Sequence, residues 1–204
     1  MSHNSTGDKT DKADKATLRG ELLEARRRLT ADDAQEAAAV LARRALELDE
    51  LAQAHTVAAY VSVGREPGTR ALLDALHARG VRVLLPVLLP DNDLDWGLYA
   101  GTEHLVRAGR GLLEPDGARL GPDAVLGADA VLLPGLAVDG RGMRLGRGGG
   151  SYDRVLARLS HARVQPPLVV LLYDDEVVAR VPEEPHDHPV HAVVTPSGVR
   201  RFRS

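Results

Sequence analysis

The sequence predicts a Rossmann-like α/β fold, a three-layer sandwich with a mostly parallel central sheet and helices on both faces. Three observations predict it. Short continuous apolar runs, such as residues 56–61 and 168–173, have the length and composition of strands buried on both faces. Helix patterns with recognisable ends separate them. A glycine-rich segment follows one apolar run directly and precedes a helix pattern. In such sheets ligands sit at the carboxyl ends of the strands, where loops of this kind lie.

Residues 1–12 are polar and without period, and are expected to form a disordered extension before a single domain over 13–204. A first helix is expected from Asp14 or Lys15 to Leu29, with Leu18, Leu22, Ala25 and Leu29 on its inner face. Thr30, followed by Asp32 and Asp33, is an N-cap signal for a second helix running to about Leu51. Residues 56–61 form a buried strand. Thr69 caps a helix over 71–79, which Gly80 closes. Residues 81–87 are the next strand, with 94–99 as a hairpin partner. Residues 129–133 are a strand that feeds the glycine loop and the helix after it. Residues 168–173 form a further strand, and 190–194 the last. Trp96 is expected in the core.

Composition narrows the function. The chain has 204 residues, of which 44% are hydrophobic and only 3% aromatic, so its core must be built from Leu, Val and Ala. A net charge of -3 with so few aromatic side chains argues against nucleic-acid binding. The absence of cysteine excludes disulfides, thiol catalysis and thiolate zinc sites. No apolar run approaches a membrane span, and no signal peptide is visible, so a cytoplasmic protein without a membrane partner is expected.

The most informative segment is Arg144, Leu145, Gly146, Arg147, Gly148, Gly149, Gly150, Ser151, Tyr152, Asp153, Arg154. Glycine has no Cβ to keep a phosphate away, and it reaches positive φ freely. Consecutive N–H groups there form an anion-binding concavity, and a helix N-terminus adds its dipole. Arginine supplies a fork that matches phosphate oxygens. The segment is neither a Walker A loop nor a dinucleotide fingerprint. A flexible surface loop with solvated arginines is the alternative on residues alone. His186, His188 and His191 cluster near Asp187 at spacings that fit no standard metal pattern, so a turn with solvated histidines is expected, with a transition-metal site as the alternative.

This segment, with the Leu-Pro-Gly-Leu-Ala-Val-Asp run from Leu133 to Asp139, resembles the signature of the 5-formyltetrahydrofolate cyclo-ligases, also called methenyltetrahydrofolate synthetases. Other matches follow in order: Lys15 to Arg19 as K-x-x-L-R, Tyr60-Val61-Ser62 with Glu66 and Thr69, the strand Val83 to Pro86, and His186-Asp187 with Val193-Val194-Thr195. The resemblance spans about residues 15–196. It implies an ATP- and Mg2+-dependent ring closure of 5-formyltetrahydrofolate to 5,10-methenyltetrahydrofolate, with release of ADP and phosphate. It also implies small-molecule partners, reduced folate and ATP, for a monomer or weak homodimer.

Carried over by position, Lys15 and Arg19 would touch ATP phosphates, and Arg144, Leu145, Gly146, Arg147, Gly148, Gly149, Gly150, Ser151 and Tyr152 would wrap the triphosphate. Val61 and Glu66 would bind the folate, bordered by Arg147, Gly148, Gly149, Gly150 and Ser151. Arg144, Arg147 and Tyr152 would be the catalytic members. Asp153 would hold magnesium, with His191 in the place of a second ligand. The chain departs from the pattern at Ser151, where the family often has a second tyrosine, and at His191, where it usually offers an acid. Those departures motivate an alternative, a catalytically weak relative that binds folate or nucleotide. A different phosphoryl-transfer enzyme on the same scaffold is the other alternative.

Overall fold

The inner strands carry apolar side chains on both faces, and that dictates three layers. In the computed structural model, which describes residues 5–203, α1 (Ser5–Arg27) and α2 (Ala31–Leu46) lead through the short α3 (Asp49–Ala52) to β1 (Thr56–Ala58). Then follow α4 (Arg70–Ala78), β2 (Arg82–Leu88), β3 (Leu94–Leu98), β4 (Leu105–Arg107), β5 (Leu113–Pro115) and β6 (Ala130–Leu133). The chain continues through β7 (Ala137–Val138), β8 (Arg144–Leu145), α5 (Ser151–His161), β9 (Leu168–Leu171), β10 (Ala192–Thr195) and β11 (Gly198–Arg201). Seven strands form one sheet in the order β11-β10-β9-β6-β1-β2-β3. The five inner strands are parallel, and β3 and β11 pair antiparallel at the two edges.

Alternate strand residues sort into two cores. Val57, Val83, Leu85, Ala130, Leu132, Val169 and Leu171 meet Leu41 of α2 and Leu72, Leu73 and Leu76 of α4. Ala58, Leu84, Val131, Leu133 and Val170 meet Val155, Leu156 and Leu159 of α5, together with Val125 and Trp96. Leu41, Leu72, Leu73, Leu76 and Trp96 are fully buried, and each such leucine stabilises the fold by roughly 1.5–3 kcal/mol. The expected sandwich, and the core position of Trp96, are therefore as read from the sequence. A third cluster packs Leu22 of α1 against Leu136, Ala137, Met143 and Leu145 of the small β7–β8 hairpin.

From β1 the chain crosses by α4 to β2 on one side, whereas β6, β9 and β10 continue on the other. The strand order thus reverses between β1 and β6, and such a reversal opens a crevice at the carboxyl ends of the two strands.

Several boundaries differ from expectation. Helix α1 begins at Ser5, so residues 5–12 of the expected disordered extension are helical; residues 1–4 lie outside the described residues. Propagating a helix from packed turns needs only one bond per added residue, which explains the polar overhang. On α1 the buried positions are Lys15, Leu22 and Arg26, and Ala25 is exposed. Thr30 does cap α2, accepting from the Asp33 amide at 3.1 Å. The second helix stops at Leu46 and restarts at Asp49. Thr69 precedes α4 without a side-chain cap, because its hydroxyl donates to Tyr60 O at 2.8 Å and accepts from Ser62 N at 2.9 Å. The edge strand β11 and the β4–β5 hairpin have no counterpart in the sequence reading.

Candidate active site

The loop after β1 forms one wall. Thr69 and Ser62 exchange hydrogen bonds, with Thr69 N donating to Ser62 Oγ at 3.0 Å, and this closes the loop on itself. Glu66 sits inside it, mostly buried, with Oε2 accepting from Val63 N at 2.8 Å. Its other oxygen faces Arg147 Nε at 3.3 Å.

The glycine loop forms the opposite wall. The β7–β8 hairpin, joined further by Leu136 N to Leu145 O at 2.7 Å, delivers the loop beside the end of β6. Gly148 and Gly150 have φ of +92° and +79°, so only glycine takes these turns without strain. Gly150 is also the N-cap of α5, and no side chain caps that helix. The free N–H groups of its first turn, with the dipole, make an anion-binding end.

Helix α1 forms the roof with charge. The Lys15 ammonium lies 2.9 Å from Glu184 Oε2 and 2.8 Å from Asp187 Oδ2. Burial works against its charge, but the hydrogen bonds and charges of Asp187 and Glu184 outweigh it and hold the pKa above the ordinary lysine value. Arg19 donates from Nε to Gly146 O at 2.8 Å. Arg144 is nearly enclosed; its Nη1 donates to Pro134 O at 2.9 Å, and its Nη2 is 3.7 Å from Asp153 Oδ1. Burial pushes its pKa down, and the Asp153 charge offsets part of that.

These walls enclose a cleft of about 370 Å3. Lys15, Arg19, Val61, Glu66, Arg144, Leu145, Gly146, Arg147, Gly148, Gly149, Gly150, Ser151, Tyr152 and Asp153 all line it. His191 does not. It sits at the amino end of β10, donating from N to Leu168 O and accepting from Leu168 N at Nδ1, both at 2.9 Å. The imidazole completes the ladder to β9 there, so the expected pairing of His191 with Asp153 as metal ligands is corrected.

Sequence reasoning missed several cleft residues. Tyr60 lines it beside Tyr152, and both phenols stay protonated because burial and the Glu66 charge raise their pKa values. The Tyr152 hydroxyl is buried and has no hydrogen-bond partner among the described residues, which leaves a donor for a ligand. Glu184 also lines the cleft, as does Arg110 from the β4–β5 hairpin. The carboxylates of Glu184 and Asp187 and the His186 ring hold their ligand atoms within 4.8 Å of one another, but Lys15 occupies the acids. The signal for Glu184 lay in its pairing with Lys15, which is 169 positions away.

The profile of the 5-formyltetrahydrofolate cyclo-ligase family matches residues 11–196. A 5-formyltetrahydrofolate cyclo-ligase of Mycolicibacterium smegmatis is 47% identical over 147 residues, covering 69% of this chain and 73% of that protein. One from Escherichia coli is 37% identical over 182 residues, covering 87% and 98%. Among solved structures, the 5,10-methenyltetrahydrofolate synthetase of Aquifex aeolicus has a TM-score of 0.78 at 28% identity and covers 93% of each chain. This chain belongs to the 5-formyltetrahydrofolate cyclo-ligase family.

Proposed function

We propose that the protein converts 5-formyltetrahydrofolate to 5,10-methenyltetrahydrofolate, using ATP as the phosphoryl donor. The observation that carries this reading is the apposition, across one cleft, of a glycine loop with an uncapped helix end and a buried carboxylate, Glu66. The first suits a triphosphate; the second accepts the N–H fork of a pterin.

The formyl oxygen is a poor leaving group. Its attack on the γ-phosphorus breaks the bond to the β-bridging oxygen, ADP departs with that electron pair, and a phosphorylated imidate results. N10 then attacks the formyl carbon and loses its proton, and the C–O bond breaks to release phosphate. The protein needs no nucleophile of its own for this; it positions the reactants and neutralises charge. The loop amides, Arg144 and Arg147 would hold the migrating phosphoryl group, with Lys15 and Arg19 on the rest of the triphosphate. Glu66 and Val61 would hold the pterin. Protonated Tyr152 would donate to the folate or to a phosphate oxygen.

Magnesium fits the same end of the cleft. The Asp153 carboxylate is half-exposed beside the loop and offers the hard oxygen donor that the ion takes together with phosphates and water. Bound there, magnesium would neutralise triphosphate charge. Among the described residues no helix is long and apolar enough to cross a membrane; a cytoplasmic enzyme, monomeric or weakly dimeric, is part of the proposal.

The test mixes protein, 5-formyltetrahydrofolate, ATP and magnesium and follows the near-UV band of the methenyl product. Growth of that band with stoichiometric phosphate release is expected. Folate and ATP binding without the band would favour a catalytically weak relative; phosphate release without it would favour another phosphoryl transfer.

A further inference from the structure

The cleft extends past the pterin wall, and its far end is built for an anion. Across the sheet the order of strands is β6, β1, β2, β3. The cleft lining follows it: Pro134 and the glycine loop at β6, Tyr60 and Glu66 beyond β1, then Pro86 and Leu88 of β2 and Leu94 of β3. Leu112 and Leu113 of the β4–β5 hairpin continue this apolar stretch, and Arg110 at the hairpin tip ends it.

Arg110 is unusual in two ways. It holds a left-handed backbone, φ 60° and ψ 26°, between Gly109 and Gly111, where a third glycine would sit without strain. Its charge is also unmatched. At the cleft, Lys15 pairs with Glu184 and Asp187, Arg147 with Glu66, and Arg144 with Asp153, while Arg19 donates to Gly146 O at 2.8 Å. Arg110 makes one marginal contact, Nη1 to Asn92 Oδ1 at 3.5 Å, and no carboxylate lies within ion-pair distance of it among the described residues. An exposed guanidinium at the end of an apolar trough is a receptor for a carboxylate carried by an apolar or aromatic body.

We propose that Arg110 binds the glutamate carboxylates of the folate substrate. This rests on the cyclo-ligase reading above. A folate runs from pterin through a benzoyl ring to glutamate, and the cleft runs in the same order from Glu66 through Pro86, Leu88, Leu94 and Leu112 to Arg110. The β4–β5 hairpin is then the element that recognises the amino-acid tail, and further γ-linked glutamates would leave the cleft past its tip.

The test compares 5-formyltetrahydrofolate with 5-formyltetrahydropteroate, which keeps the pterin and benzoyl groups and lacks the glutamate. In Arg110→Gly and Arg110→Asn, both at home in a left-handed backbone, the selectivity for the glutamylated substrate, as a ratio of kcat/KM values, is expected to fall about tenfold. The loss should reside in KM for the glutamylated substrate, with KM for ATP unmoved. A selectivity ratio equal to wild type overturns the assignment while the ring closure stands. Wild-type protein that turns over neither folate overturns the underlying reaction itself.

Discussion

Arg26 and Glu176 form a buried ion pair that ties α1 to the carboxyl edge of the sheet. Arg26 Nε donates to Glu176 Oε2 at 2.7 Å, and both side chains are only 4% exposed. The same guanidinium donates to Gly135 O at 2.7 Å, in the cleft wall, and Glu176 Oε1 accepts from Tyr173 N at 2.9 Å. Tyr173 in turn donates from its hydroxyl to Arg65 O at 2.9 Å, next to Glu66. One pair therefore relates the helix bearing Lys15 and Arg19 to both walls of the cleft.

Removing one member leaves the other charged and without its partner in the interior. Burial, helped by the neighbouring Asp175 charge, already raises the pKa of Glu176 even with Arg26 beside it. Glu176→Ala is expected to cost about 3–5 kcal/mol of stability, read from urea denaturation, and Glu176→Gln less. A loss in Glu176→Ala no larger than a surface substitution would show that the pair does not anchor α1.

The Lys15 cluster makes a pH prediction. For Asp187, burial pushes the pKa up, but the hydrogen bonds from Lys15 and Glu184 N and the lysine charge bring it below its ordinary value. A carboxyl depressed on folding stabilises above its unfolded pKa of about 3.9, and that contribution disappears as pH falls through the folded value. Lys15 is raised, so its contribution is full below about 10.4 and is lost as pH climbs through the folded value. Lys15→Met should therefore be less stable than wild type by a constant amount between about pH 5 and pH 9, with the gap narrowing below about pH 4. A gap that persists unchanged into acid would mean that the acids are not held by the ammonium.

Glu66→Gln separates the two ligands. The amide keeps the size of the side chain and an acceptor for Val63 N, and it removes the charge that faces Arg147 and, in our reading, the pterin. A hydrogen bond to a charged group is worth about 1.5–3 kcal/mol, so KM for the folate should rise tenfold or more, with a smaller change for ATP. Equal losses for both substrates would place Glu66 in general loop structure instead.

Much of this molecule was legible because its signals are local. Strands buried on both faces read as apolar runs, Thr30 and Gly80 read as helix ends, and the glycine segment announces itself between a strand and a helix. Helix α1 was legible in position and in most of its inner face, where Leu22 is buried and Leu18 packs beside it, while Ala25 is exposed. Its inner stripe includes Lys15 and Arg26, which no hydrophobic periodicity selects, because their burial depends on carboxylates 150 or more positions away. Thr69 had the right residue type for a cap, yet it was recruited by Tyr60 and Ser62 across the loop. His191 held the sequence position of a ligand, but the strand register turns its ring to a backbone amide of β9. Arg110 gave no signal, since only the hairpin fold carries it to the cleft.

The glycine loop yields the last prediction, from two neighbouring positions that differ in kind. At Gly148 a Cβ would lie 3.3 Å from Arg19 Cζ on a backbone with φ of +92°. Gly148→Ala is thus expected to cost about 1–3 kcal/mol in stability from backbone strain and to displace Arg19 from Gly146 O. At Gly149 the added Cβ would meet nothing within 4 Å, and φ lies outside the left-handed region, so the protein itself has no objection to alanine there. That open space borders the cleft. If the loop amides cradle a triphosphate, the space belongs to the ligand, and Gly149→Ala should raise KM for ATP about tenfold while the urea midpoint stays where it was. An alanine at 149 that leaves KM for ATP at the wild-type value would mean the phosphates approach the loop from another side.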